Sequence, residues 1–149
     1  MTSDLRDLYQ EVIFDHYKKP RNCRALMDAS HQAEGYNPLC GDKVTIYLKV
    51  ADGIIEDVAF EGAGCAIATA SASLMTEALK GKKVADVEHL FRDFRDMVTD
   101  APKASPQALG KLEVLAGVRE FPARVKCATL AWHTLHAALE DRQQPVSTE

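Results

Sequence analysis

Several features that mark other classes of protein are scarce or absent in this chain. None of its apolar runs approaches the length that spans a membrane, although the chain has 149 residues. The N-terminus lacks the basic segment followed by an apolar segment that marks a signal peptide. A formal net charge of −4 leaves no basic excess for nucleic acid. We therefore expect a cytoplasmic protein that binds neither membranes nor nucleic acid.

Cysteine is also sparse, with four residues in the chain. In a reducing compartment, cysteines serve as ligands or nucleophiles more often than as disulfide partners. Hydrophobic residues make up 46% and charged residues 27% of the chain, as is typical of a globular protein. The length suits one domain with a substantial core. We expect a single domain over residues 1–149, with a polar, loose tail from about residue 143.

The first half of the chain predicts one helix and a small antiparallel sheet. Apolar residues recur at helical spacing between about Ser3 and Tyr17, after good N-cap residues. Residues 43–50 alternate between apolar and polar side chains, which indicates a strand with one buried face. Asp52-Gly53 is a hairpin-turn signal, after which residues 54–61 return as a second strand. A further strand is expected around residues 32–37.

The second half predicts helices. After Gly64, a helical stripe that begins with unusually small residues continues to Gly81, and small side chains let a helix approach its neighbours closely. Apolar spacing predicts further helices over residues 84–98 and 107–116. Pro122 suits the first turn of a final helix. Together the patterns predict an α+β fold in which a three-stranded antiparallel sheet packs against about four to five helices.

Three cysteines and one aspartate stand where strands, turns or helices begin, next to glycine or proline. They are Cys40, Asp42, Cys65 and Cys127. The antiparallel hairpin should return the chain at Cys65 to the end of the sheet where Cys40 and Asp42 lie. Thiolates and a carboxylate are plausible zinc ligands, and the same residues could hold iron and sulfide. We therefore predict one metal site formed by these four side chains.

Basic residues beside this predicted site bear on its charge. Three thiolates and one carboxylate around a divalent ion leave a net negative centre, which Arg124 and Lys126 could offset. Arg124 could also donate a hydrogen bond to a thiolate or to the Asp42 carboxylate. A second basic cluster follows the first helix and is either a solvated connector or a docking surface. It comprises Lys18, Lys19, Arg21 and Arg24.

Other candidate residues have weaker support. His31 is an alternative fourth ligand, although a loop histidine is more often solvated. Cys23 lies in a polar connector without a neighbouring glycine, so we interpret it as a small buried hydrophobic residue. A hydrolase using Cys127 with His133 or His136 needs a base within hydrogen-bond reach, and residues six or nine apart on one helix meet poorly. A purely structural zinc module is also possible, but closed sites more often combine cysteine with histidine.

Four segments resemble the IscU/NifU N-terminal family of iron–sulfur assembly proteins, and the resemblance extends over nearly the whole chain. The segments are His16–Asn22, Asn37–Asp42, Phe60–Ala68 and Phe121–Ala128. Lys126 stands where the IscU branch has a histidine, and extra sequence around residues 97–115 precedes the last cysteine. Both features, together with Ala131–Leu135, are similar to the SufU branch.

This resemblance implies a zinc-dependent sulfurtransferase that works with a SufS-type cysteine desulfurase and supplies a SufBCD-type scaffold. The zinc ligands that it implies are Cys40, Asp42, Cys65 and Cys127. Cys40 would accept the persulfide sulfur, and we expect Cys40 and Arg124 to be the catalytic residues. Lys126 fits a site that borrows a histidine from the desulfurase, which frees Cys40 from the metal. The alternative is a scaffold that assembles a [2Fe–2S] cluster on the same ligands, with iron in place of zinc.

Overall fold

The computed structural model describes residues 2–38, 41–99, 109–140 and 146–147. The helices in these ranges are α1 (Thr2–Lys18), α2 (Ala66–Leu79), α3 (Val84–Thr99), a 3₁₀ helix (Gly110–Glu120) and α4 (Pro122–Leu139). The strands are β1 (His31–Asn37), β2 (Asp42–Ala51), β3 (Ile54–Ala63) and β4 (Val146–Ser147). The predicted α+β fold, with a three-stranded antiparallel sheet and five helices, is confirmed.

The sheet has the strand order β3-β2-β1-β4. Both pairings among β1, β2 and β3 are antiparallel, as the sequence predicts. The short strand β4 lies in the tail that was expected to be loose, and it pairs in parallel with Gly35 and Tyr36 of β1. The extension of one domain over all 149 residues stays a prediction.

The β2–β3 hairpin follows directly from its turn residues and its alternation. Asp52 and Gly53 have φ values of +53° and +74°, and positive φ at both central positions is what a type I′ turn requires. Along β2, the apolar side chains of Ile46 and Leu48 are fully buried. Burial of each such side chain contributes roughly 1.5–3 kcal/mol. The hairpin therefore presents one apolar face to the helices.

Helices α2 and α4 cover that face, because small residues let them approach closely. A side chain on Gly35 of β1 would place its Cβ 2.0 Å from Oγ1 of Thr134 in α4, so only glycine fits at this crossing. Ser71, in the small-residue stripe of α2, donates a hydrogen bond to the backbone oxygen of Ala128 at 2.6 Å. The two helices that carry Cys65 and Cys127 at or near their starts are thus tied together directly.

The segment before α4 differs in kind from the expected short helix. It forms a 3₁₀ helix that continues to Glu120, beyond the predicted end at residue 116. Leu112, Leu115 and Val118 are buried and lie three residues apart, so they share one face of a helix with three residues per turn. The break that the sequence predicts at residues 101–105 lies outside the described residues.

The helices also bear on the question of a membrane segment. The longest described helix, α4, has 18 residues and carries Arg124 and Lys126 near its start. Within the described parts of the chain, no helix is long and apolar enough to cross a bilayer. The cytoplasmic location stays a prediction.

Candidate metal centre

Asp42, Cys65 and Cys127 converge at one end of the sheet. One ligand atom from each, a carboxylate oxygen or a sulfur, lies within 4.8 Å of the other two. Asp42 is 2% exposed and Cys127 is fully buried, whereas Cys65 is partly exposed. Within the described ranges, no other group of three or more His, Cys, Asp or Glu side chains meets this geometry. The structure therefore brings together three of the four residues that the sequence predicts to share one site.

The register of the sheet explains this convergence. Asp42 begins β2, and its neighbour Lys43 pairs with Ala63 at the end of β3. Two residues later, Cys65 is the N-cap of α2. The antiparallel hairpin thus carries Cys65 back to Asp42, as the topology argument predicts. Cys127 reaches the same end of the sheet because α4, which carries it, packs on β1 and β2.

Asp42 and Cys65 are held together by backbone as well as by side-chain contacts. The backbone N–H of Cys65 donates a hydrogen bond to Oδ1 of Asp42 at 2.8 Å. The second carboxylate oxygen, Oδ2, lies 3.8 Å from Sγ of Cys65. That sulfur also accepts a hydrogen bond from the backbone N–H of Ala68 at 3.4 Å, as a helix cap does.

Gly64 leaves room for this arrangement. A Cβ at this position would lie 3.1 Å from Oδ1 of Asp42 and 3.3 Å from the Cβ of Ala68. Any larger residue would press on the carboxylate that receives the Cys65 N–H. The small residues around Cys65 therefore serve the site as well as the helix packing.

Cys127 contacts a residue that the sequence analysis did not assign to the site. The side-chain Nδ2 of Asn37, at the end of β1, lies within hydrogen-bonding distance of the Cys127 sulfur, at 3.8 Å. Asn37 is fully buried. Its place on the core face of an alternating strand was the available signal, because an amide on that face requires a partner.

The roles of two predicted site residues, Cys40 and Arg124, stay predictions. Cys40 lies outside the described residues, so its role as a ligand and as the sulfur acceptor stays a prediction. Arg124 is exposed in the first turn of α4, three residues before Cys127, and Lys126 is partly buried. No ion pair or side-chain hydrogen bond of Arg124 is found among the described residues. Its catalytic role also stays a prediction.

The remaining cysteine and histidines have other surroundings. The prediction that Cys23 is a buried hydrophobic residue is wrong, because Cys23 is exposed where its connector bridges to Phe60 at the edge of β3. Partial desolvation of its thiol, together with the nearby Glu61, raises the pKa of that thiol. His136 contacts two carboxylates at 3.0 Å, and the ring of His133 packs against Phe91 with centroids 5.2 Å apart. His31 is not part of the three-residue cluster. These contacts lend no support to a hydrolase or to a histidine ligand.

The donor types of the cluster and one measured donor–donor distance suit a zinc ion. In a tetrahedral zinc site with bonds of about 2.0–2.3 Å, neighbouring donor atoms are roughly 3.3–3.8 Å apart. The 3.8 Å between Oδ2 of Asp42 and Sγ of Cys65 matches this spacing. Three donors leave one position of a tetrahedron, and Cys40 is two residues from Asp42 in the sequence. The three described residues therefore fit a zinc ion with one further ligand.

Comparison with known proteins identifies the family. The sequence model of the NifU-like N-terminal domain family matches residues 8–128, a span that contains the whole cluster. The chain belongs to the NifU-like N-terminal domain family. This result confirms the family resemblance that the four sequence segments predict.

Individual relatives extend over most of this NifU-like chain. It is 44% identical over 133 residues to the zinc-dependent sulfurtransferase SufU of Bacillus subtilis strain 168, covering 89% of this chain and 90% of that protein. It is 41% identical over 138 residues to the iron–sulfur cluster assembly scaffold protein IscU of Streptococcus pyogenes serotype M1, covering 93% and 86%. The relatives thus include both a sulfurtransferase and a scaffold.

A solved structure supports the same assignment. The protein from Fervidobacterium islandicum AW-1, assigned as an iron–sulfur cluster assembly scaffold for the SUF system and called FiSufU, superposes with a TM-score of 0.82. It is 35% identical, and the match covers 87% of this chain and 94% of that one. The NifU-like fold derived above is therefore shared with a SufU protein.

Proposed function

We propose that this NifU-like chain is a zinc-dependent sulfur carrier in iron–sulfur cluster assembly. It would accept persulfide sulfur from a cysteine desulfurase and pass it on. The observation that carries the proposal is the convergence of Asp42, Cys65 and Cys127 within 4.8 Å. The 44% identity to a zinc-dependent sulfurtransferase supports zinc as the ion.

In this proposal each residue has a defined part. Asp42, Cys65 and Cys127 would hold zinc, and Cys40 would complete the set. Bound zinc would keep its cysteine ligands deprotonated at neutral pH. Cys127 is buried and Asp42 is fixed by the Cys65 N–H, so these side chains suit permanent anchoring.

The sulfur transfer itself is a thiolate–persulfide exchange. The Cys40 thiolate attacks the outer sulfur of the desulfurase persulfide, whose S–S bond breaks. The desulfurase cysteine leaves as a thiolate, and Cys40 carries the new persulfide. Arg124 is exposed and three residues from Cys127, where a guanidinium can offset the negative charge at the site.

The partners in this proposal are a SufS-type desulfurase and a SufBCD-type scaffold. The basic cluster after α1 is not a strong candidate for their docking surface. Arg21 pairs with Asp15, and Arg24 pairs with Asp57 at 2.8 Å. Because these carboxylates neutralise half of its charges, the cluster is better interpreted as a solvated connector.

A second candidate function is a scaffold on which a [2Fe–2S] cluster is assembled. It is supported by the 41% identity to an IscU scaffold protein, and the same thiolates can ligate iron. The two functions predict different colours and metal contents for the purified protein. A colourless protein with about one zinc per chain indicates the carrier, whereas a brown protein with visible absorption indicates the scaffold.

The deciding experiment measures transfer of ³⁵S from a SufS-type desulfurase supplied with labelled cysteine. Label on the chain should disappear in Cys40→Ala, while most of the zinc is retained by the other three ligands. Cys23→Ala is the matched control, because Cys23 is exposed and outside the cluster, and it should be labelled as the wild type is. Full labelling of Cys40→Ala would contradict the proposal.

A further inference from the structure

Asn37 occupies an unusual position for an amide. The burial of β1 alternates, so Ala33, Gly35 and Asn37 share its buried face. The first two have no polar side-chain atoms, whereas Asn37 carries two and is 0% exposed. Burial of an amide without hydrogen bonds costs roughly 1–3 kcal/mol. The Asn37 side chain at this position therefore needs partners within the protein.

The Cys127 sulfur is one such partner. Nδ2 of Asn37 lies 3.8 Å from Sγ of Cys127, and both residues are fully buried. The backbone of Asn37 is fixed as well, because its carbonyl accepts a hydrogen bond from the N–H of Gly41 at 2.9 Å. In the sheet, Asn37 pairs with Asp42. The Asn37 amide is thus attached to hydrogen-bonded backbone and lies beside two residues of the metal centre, Asp42 and Cys127.

We propose that Asn37 is a positioning residue of the metal centre, whose side-chain N–H donates to the Cys127 sulfur and holds it as the fixed anchor of the ion. The inference rests on the proposed function, since it concerns the same centre. An N–H donor stabilises part of the negative charge of a thiolate on a fully buried residue such as Cys127. It also restrains the direction from which the sulfur can bind a metal.

This contact distinguishes the two cysteines of the cluster, Cys65 and Cys127. Cys65 is partly exposed, and its sulfur accepts from the backbone N–H of Ala68, as any cap residue at that position would. Cys127 is fully enclosed and receives a side-chain donor from a different element. A carrier that releases one thiolate must keep the others bound. Cys127 therefore belongs to the ligands that stay bound to the metal during sulfur transfer.

The first test detects the hydrogen bond in the wild-type protein loaded with ¹¹³Cd²⁺. A hydrogen bond to a metal-bound sulfur transmits scalar coupling between the metal nucleus and the donor proton. A ¹H–¹¹³Cd correlation at the Asn37 side-chain amide is the expected result. A loaded protein that shows no such correlation would overturn the inference and leave the proposed function intact. A chain that binds no cadmium or zinc would overturn both.

The second test removes the donor with Asn37→Leu, which keeps the branch at Cγ and has no N–H. The thiolate-to-metal charge-transfer band of the Co²⁺-loaded variant should move to longer wavelength, and zinc affinity should fall about 10- to 100-fold. Ser71→Ala is the matched control, because it removes a buried hydrogen bond beside Cys127 without touching the sulfur. That variant should lose stability and keep the wild-type band. An unshifted band with wild-type zinc affinity in Asn37→Leu would refute the inference. Should that variant fail to fold, the cadmium measurement decides alone.

Discussion

The Asp42 carboxylate binds the Cys65 backbone with one oxygen and faces the Cys65 sulfur with the other. Oδ1 accepts the Cys65 N–H at 2.8 Å, and Oδ2 lies 3.8 Å from Sγ. The first contact fixes where α2 begins relative to β2. The second leaves one oxygen to point toward a metal. In the proposed metal centre, a single side chain would therefore couple folding to metal binding.

Substitution of Asp42 should separate these two roles. Asp42→Ala removes the acceptor of the Cys65 N–H, so the metal-free protein should lose about 1–3 kcal/mol of unfolding free energy. Asp42→Asn keeps an oxygen acceptor and should lose less, while both variants bind zinc more weakly. Urea denaturation in the presence of a chelator measures the first effect. Equal stability of Asp42→Ala and the wild type would show that the cap contact is unimportant.

Serine substitutions should test the ligands without disturbing the fold. Cys65→Ser keeps a good N-cap for α2 but lacks a thiolate, so zinc affinity should fall by at least about 10-fold with little change in helix content. Cys127→Ser should have a similar effect on affinity. Cys23→Ser, at an exposed position outside the cluster, should bind zinc normally. Competition titration with a chromophoric chelator provides the affinities, and normal binding by Cys65→Ser would exclude it as a ligand.

The crossing of β1 and α4 should not tolerate a side chain at residue 35. Gly35→Ala would place a methyl group 2.0 Å from Oγ1 of Thr134, and overpacking of this kind costs about 1–3 kcal/mol. Gly117→Ala is the control, because nothing lies within 4 Å of its added methyl group. Thr134→Ala should recover part of the loss in the double variant. Additive losses, measured by thermal unfolding, would show that the clash is relieved elsewhere.

Stability should fall in mildly acidic solution because of His16. Burial lowers the pKa of His16, and Arg21 adds to this effect. In the unfolded chain, His16 therefore binds a proton near the ordinary histidine pKa of about 6.5, whereas in the folded protein it stays neutral at that pH. The contribution of neutral His16 to the free energy of unfolding is present above that pH. It is lost progressively as the pH falls toward the lowered pKa of His16 in the folded protein. Burial also lowers the pKa of His133, so His133 contributes to the same loss of stability at acidic pH.

The measurement is the free energy of unfolding between pH 8 and pH 5, with a chelator present so that metal binding does not contribute. His16→Gln should flatten part of the decline below pH 6.5, because glutamine does not titrate. His89→Gln, at an exposed position, should leave the decline as it is in the wild type. A decline of the same slope in the wild type and His16→Gln would refute this account.

Local patterns in the sequence were sufficient for most of the architecture. Alternation along residues 43–50, with the Asp52-Gly53 turn, predicts the hairpin because side-chain period and turn conformation are properties of neighbouring residues. The same holds for the start of α4 at Pro122. The hairpin topology then places Cys65 near Asp42, as observed. The 3₁₀ form of residues 110–120 was not predicted, because a short apolar spacing of three also suits an α-helix.

The sequence by itself determined most of the secondary structure, the family and the residue types that could bind a metal, since each of these depends on short segments of the chain. Only the tertiary structure decided how closely Cys127 approaches Asp42 and Cys65, and that Asn37, 90 positions away in the chain, contacts its sulfur. Such contacts depend on how helices pack across a sheet. Packing depends on side chains from the whole core, most of them distant in sequence, so it cannot be predicted from a local sequence pattern.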